Sequence, residues 1–205
     1  MALGLPTETK SAGDILPIVK YDAKGGDLIA VNRVQGEDGQ WTKTEVEVEM
    51  PTNFVMDMEN IEVGWLSFAT GAPDFVMAKV GEPMPGKPSE DHKQAFRLRI
   101  GSTDLGLREF SHSAKTVLRS MDDLHSRYLA EKGQHAGLMP VVAIEGTETI
   151  KIQSPNGELR FKAPKWSIVS WVDRPDFFDA ASAPETTPDP AAAQSSGDET
   201  PAPLF

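Results

Sequence analysis

Two stretches of this chain interleave cations with aromatic rings. The first holds Lys87, Lys93, Arg97 and Arg99 around Phe96, with Arg108 and Phe110 just beyond. The second holds Lys151, Arg160, Lys162 and Lys165 among Phe161, Trp166 and Trp171. Cations spaced along an extended chain neutralise a run of phosphates, and ring faces between them accept stacked bases. The combination suits a grip on a single-stranded polyanion. Strand alternation sorts the roles: around Arg160-Phe161-Lys162 the two cations share one face and the ring takes the other. Phe161 is therefore expected in the core, as are Trp65 and Phe68 from their apolar strand. Trp166, beside Lys165 at a strand start marked by Pro164, is the expected stacking platform.

Patterns for catalysis are missing. The chain has no cysteine, which excludes disulfides, thiolate zinc sites and cysteine nucleophiles. His92, His112, His125 and His135 include no pair at i, i+4, the spacing that sets two imidazoles on one helix face. No Gly-x-Ser-x-Gly elbow, Walker loop or Gly-x-Gly-x-x-Gly occurs, so no nucleophile or phosphate-binding motif is in sight. Asp57, Glu59 and Glu62 cluster three carboxylates, the set a Mg²⁺-dependent nuclease would use. No second acidic cluster supports a two-metal site, and a solvated acidic loop is expected there. The expectation is a binding protein, with no enzyme activity, no metal and no cofactor.

Charge is distributed unevenly. The 205 residues carry 20 Lys+Arg against 31 Asp+Glu, a net charge of −11, and the pI is near 4.8. An evenly spread negative charge would exclude nucleic acid. Instead, residues 87–119 hold seven bases against four acids, and residues 151–175 hold five against two. Residues 176–205 hold six acids and no base, more than half of the net charge.

Elements that would position these residues are mostly strands. Alternation predicts strands over 28–34 and 42–50, joined through Gly36-Glu37-Asp38-Gly39 as a hairpin. Strands over 61–68 and 75–80 form a second pair, and the prolines within 81–88 forbid regular structure there. A strand over 95–100 sets Arg97 and Arg99 on one face. One helix is predicted over 113–132, capped by Ser111 or Ser113 and stopped at Gly133. Its apolar positions are Val117, Leu118, Met121, Leu124, Tyr128 and Leu129. Short strands occupy 141–145, 149–153, 159–162 and 167–172, with a turn at Ser154-Pro155-Asn156-Gly157. The fold class is mainly β with one long helix, in the manner of an OB-fold-like Greek-key β-barrel over 1–175. Beyond it, 176–205 is rich in Pro, Ala, Ser, Thr, Asp and Glu and is expected to be a disordered acidic tail. No apolar run approaches the ~20 residues of a membrane helix, and Met-Ala-Leu-Gly-Leu-Pro-Thr-Glu at the start is not a signal peptide. A cytoplasmic protein is expected.

The chain closes on Asp198 and Glu199, then Pro203, Leu204 and Phe205. An OB-like body, a Pro/Ala/Ser linker, acids and a terminal phenylalanine resemble the single-stranded DNA-binding proteins of bacteria and their phages, whose bacterial members end in an acidic run and Ile-Pro-Phe. The resemblance implies sequence-tolerant binding of single-stranded DNA during replication, recombination and repair, in the host cytoplasm if the chain is phage-encoded. It also implies that the tip recruits replication or recombination proteins, and that the acidic tail competes with DNA for the basic groove. This tip has two acids and Ala-Pro-Leu-Phe where the family has a denser run and Ile-Pro-Phe. A phage structural or assembly protein, its tail docked on a neighbouring subunit, is the alternative. Homo-oligomerisation is compatible with either.

Overall fold

Most of the chain alternates between buried and exposed residues, and in the computed structural model it pairs into one mixed sheet. The structure describes residues 16–35, 40–155 and 157–180. The strands are β1 (Ile18–Tyr21), β2 (Leu28–Gln35), β3 (Trp41–Val48), β4 (Thr52–Met56), β5 (Glu62–Ser67), β6 (Asp74–Lys79), β7 (Lys93–Ser102), β8 (Gly106–His112), β9 (Met139–Ser154) and β10 (Gly157–Val172). Helix α1 (Lys115–Glu131) separates β8 from β9, and a single turn, α2 (Phe177–Ala180), comes after β10. The sheet order is β10-β9-β4-β7-β8-β1-β2-β3. Every neighbour is antiparallel except β1 and β8, which run parallel.

Strand β7 is the hub. One of its edges carries β8 from Phe96 to Ser102. The other is divided: Ile100 and Gly101 pair with β4, while residues 93–97 pair with β5, which in turn carries β6.

The sheet curls on itself. Phe110 of β8 and Trp166 of β10 have three strands between them in the sheet order, which in a flat sheet would part them by roughly 19 Å. Their ring centroids are 5.9 Å apart. Across the remaining gap the Lys162 N–H donates to the Ala23 carbonyl at 2.7 Å. Among the described residues no ladder joins β10 to β1, so the sheet is curled but not closed. Inside the curl lies one apolar cluster drawn from opposite parts of the sheet, including Val19, Phe54, Leu98, Ile144 and Trp166.

Helix α1 covers this cluster with Val117, Met121, Leu124 and Tyr128, while Leu129, expected inside, is exposed. Neither expected serine caps it. Ala114 is the N-cap, with no side-chain cap bond, and the Ala114 N–H donates to His112 Nδ1 at 2.9 Å. His112 Nε2 then donates to the Tyr21 carbonyl at 3.1 Å. Burial holds the His112 pKa below its usual value, against the opposing pull of that carbonyl, so a neutral imidazole joins β1, β8 and α1. At the other end Gly133 falls inside a 3-10 turn, Lys132–Gln134, that extends the helix.

Strands β1, β4 and β8 are additions to the elements expected from periodicity. The four short strands expected after the helix are two long ones. Glu145 is an extra residue between Ile144 and Gly146, opposite the consecutive pair Trp166 and Lys165. This bulge, with Gly146 at φ 149°, lets β9 bend without ending. The body also continues past the expected boundary at 175: Phe178 is buried beside Leu107 and Met139. Among the described residues, no helix is long and apolar enough to cross a membrane.

Gly64 permits the close approach of β5 to β6. A Cβ there would overlap the Val76 carbonyl oxygen and lie 2.9 Å from Met77 Cα. Gly64→Ala is therefore expected to lower stability by about 1–3 kcal/mol, measured by urea denaturation; an unchanged midpoint would show that the two strands can separate without cost.

Candidate functional site

Strand β7 sorts its side chains by alternation. Phe96, Leu98 and Ile100 enter the core, so Lys93, Arg97 and Arg99 take the opposite face. Register extends that outer face sideways. On β5, Glu62 lies opposite Arg97 and Leu66 opposite Lys93; on β6, Phe75 lies opposite Leu66 and Lys79 opposite Glu62. On β8, Glu109 lies opposite Arg99 and Ser111 opposite Arg97. The result is a four-strand outer surface holding Lys79, Lys93, Arg97 and Arg99 against Glu62 and Glu109, with a ring in its midst.

Arg97 is the most constrained of the cations. It is half-buried, its Nε donates to Glu62 Oε2 at 2.7 Å and its Nη2 stands 2.6 Å from the same oxygen. Glu109 is 3.9 Å away. The Arg97 guanidinium carbon sits 4.9 Å from the Phe75 ring centroid, within cation–π range. Lys79 donates to Asn60 Oδ1 at 2.9 Å. Lys93 and Arg99 are exposed, and neither has an ionic partner among the described residues. Lys87 lies in the loop before β7 and is paired with Glu90. That loop is tied down where the Trp65 indole N–H donates to the Pro85 carbonyl at 2.8 Å.

The second basic stretch lies on the outer half of the β9–β10 hairpin. Lys151 and Arg160 are register partners, and both pair with Glu158, at 3.5 Å and 2.8 Å. Lys162 lies beside the β1–β2 turn through its backbone bond to Ala23, and Lys165 is exposed at the bulge. The two stretches face different carboxylates, Glu62 and Glu109 for one and Glu158 for the other.

Several expected roles change. Trp166 is not a surface platform: it is only 5% exposed, its indole N–H donates to Ser120 Oγ at 3.1 Å, and Arg127 donates to its carbonyl. Alternation along β10 puts Trp166 on the same face as Arg160 and Lys162, and at this level that face lies inside the curl, in the cluster that α1 covers. Phe68, expected inside, is 61% exposed, because it begins the turn between β5 and β6 and the ladder ends at Ser67. Phe161 is half-buried on the hairpin, and Trp171 is stacked between His135 and Tyr128. Arg108 is buried and bound to the Leu105 and Val31 carbonyls and to Asn32 Oδ1; it braces β8 against β2. Asp57, Glu59 and Glu62 are dispersed among separate partners: Asp57 with Asn60 and Arg174, Glu59 with Lys132, and Glu62 with Arg97. Among the described residues no cluster fit for a metal occurs. Asp198, Glu199, Pro203, Leu204 and Phe205 lie outside the described residues.

Phe75, Phe68 and Lys79 are the surface residues that sequence reasoning missed. The available signal was the alternation of β6, which places Phe75 and Lys79 on one face four residues apart.

Replacing Arg97 by Ala strands the half-buried Glu62 carboxylate and is expected to cost about 1 kcal/mol. Lys93→Ala should stay within about 0.5 kcal/mol of the parent. Urea denaturation of both variants separates the cation that braces the surface from one held free. No protein-family model, curated protein or solved structure matches this chain.

Proposed function

We propose that this protein binds single-stranded DNA, with little regard to sequence, across the outer face of β5 to β8. The observation that carries the reading is β7, which places three apolar residues inside and Lys93, Arg97 and Arg99 outside, beside the ring of Phe75. Lys93 and Arg99 are left to meet phosphates. Phe75, with Phe68 at the end of the same hairpin, offers ring surface for bases. Arg97 serves mainly to hold Phe75 and Glu62 in place. Lys151, Arg160, Lys162 and Lys165 supply a further basic stretch on the hairpin, to which the strand can extend.

The strand plan supports the same reading. Strands β4, β7 and β8 run as three antiparallel neighbours, α1 comes next, and β9 returns to pair with β4 before turning into β10. This order is similar to that of a Greek-key barrel of the OB type, with β5 and β6 between its first two strands and without the closing ladder among the described residues. In such barrels the face of the second and third strands and the loop between the first and second bind oligonucleotides. Here those correspond to β7, β8 and the β5–β6 hairpin. The acidic C-terminal segment competes for that face when DNA is absent, and its Pro203-Leu204-Phe205 tip recruits replication or recombination proteins.

Fluorescence anisotropy of a labelled oligothymidylate at low and moderate salt tests this. Affinity is expected to fall steeply with salt, each phosphate contact adding about 0.7 to the log–log slope. Lys93→Ala with Arg99→Ala should flatten the slope by the two contacts removed. Phe75→Ala should weaken binding roughly tenfold with little change in slope. Removing residues 181–205 should tighten binding; the cut belongs after Ala180 because Phe178 is in the core. A flat salt response, or equal affinity for duplex DNA, would overturn the proposal.

A further inference from the structure

The outer part of the β9–β10 hairpin is sorted into two faces. Ile152 lies opposite Leu159 and Ile150 opposite Phe161, so four apolar side chains share one face. Lys151 and Arg160 share the other with Glu158. Ile152 and Leu159 are 42% and 46% exposed, and among the described residues no strand lies on the free side of β10.

The free edge has a definite polarity. The Lys162 N–H points away from β9, since it donates to Ala23. By the alternation of an antiparallel ladder, the backbone N–H and C=O of Arg160 and Glu158 point the same way, while those of Leu159 and Phe161 point to β9. The edge therefore presents two residues able to pair with another strand, one cationic and one anionic, flanking an exposed leucine.

We infer that this edge pairs with the same edge of a second copy, antiparallel, about a twofold axis at Leu159. The register is self-complementary. Glu158 falls opposite Arg160 of the partner in two hydrogen-bonded pairs, and the central leucines meet in the closer, non-hydrogen-bonded pair. The charge pair that each copy now makes within one strand, Arg160 Nε to Glu158 Oε1 at 2.8 Å, is then also made between copies. The apolar stripe runs from Ile152 through both central leucines to the partner's Ile152. A twofold interface must be self-complementary in this way. A shift of one residue would set the stripe of one copy beside the charged face of the other, and a shift of two would oppose Glu158 to Glu158 or Arg160 to Arg160. The ladder is limited by the β1–β2 turn, which occupies the edge at Lys162. An interface so short falls at the low end of the range for specific contacts, below about 1,200 Å², so the dimer is expected to be reversible.

Sedimentation velocity of the full chain over a concentration series tests this. A monomer–dimer equilibrium is expected. Leu159→Asp and Arg160→Glu should each weaken it at least tenfold with unchanged circular dichroism, and the double change Glu158→Arg with Arg160→Glu should restore it. A monomer at the highest soluble concentration overturns the inference. So does a dimer indifferent to Leu159→Asp, or one lost on removing residues 181–205, which would assign association to the C-terminal segment. Oligonucleotide affinity at low protein concentration should be unaffected by the uncharged Leu159→Asn, which also removes the central apolar contact, so this result and that for DNA binding are independent.

Discussion

The contact between Phe110 and Trp166 sets the shape on which the rest depends. It joins strands that have three others between them in the ladder, and only a curled sheet allows it. Once the sheet curls, each strand has an inside and an outside, and the inside is filled by one apolar cluster under α1. The indole of Trp166 is satisfied by Ser120, so burial of this large ring leaves no unpaired donor. The same ring therefore fixes the helix as well as the curl.

The outside of the curl inherits its chemistry from alternation in β7. A chain with a net charge of −11 can still present a local basic surface, because field and contact are set by the charges nearby. Lys79 on β6 and Lys93, Arg97 and Arg99 on β7 flank β5, with two carboxylates among them. One of those carboxylates, Glu62, is bound to Arg97 at close range, and this pair holds the guanidinium against Phe75. A cation spent in this way is lost to phosphate but keeps a ring in position.

Much of this was legible in the sequence, and the failures have physical causes. The spacing of Val117, Met121, Leu124 and Tyr128 marked the helix within two residues of its ends. The outward placement of Arg97 and Arg99 came from the period of two. Strand β1 has only four residues, too few for a pattern. In β8, a buried Arg108 interrupts the apolar alternation, and its burial depends on carbonyls far away in sequence. Trp166 was misplaced because one face of β10 changes surroundings along its length. Arg160 meets solvent on the outer hairpin while Trp166, on the same face, lies inside the curl, and only the curl of the whole sheet decides where the change falls. Phe68 was misplaced by a single residue, the one by which β5 ends. Turn residues 36–39 and the acidic tip lie outside the described residues.

The central claim is that the outer face of β5 to β8 is where single-stranded DNA lies. Photo-cross-linking of the full chain to a thymidine-rich oligonucleotide, with peptide mapping of the products, tests it most directly. Cross-links at Phe75 and Phe68, suppressed by raising the salt, are the predicted result. Cross-links confined to the β9–β10 hairpin, or none above those of a control protein, would contradict it.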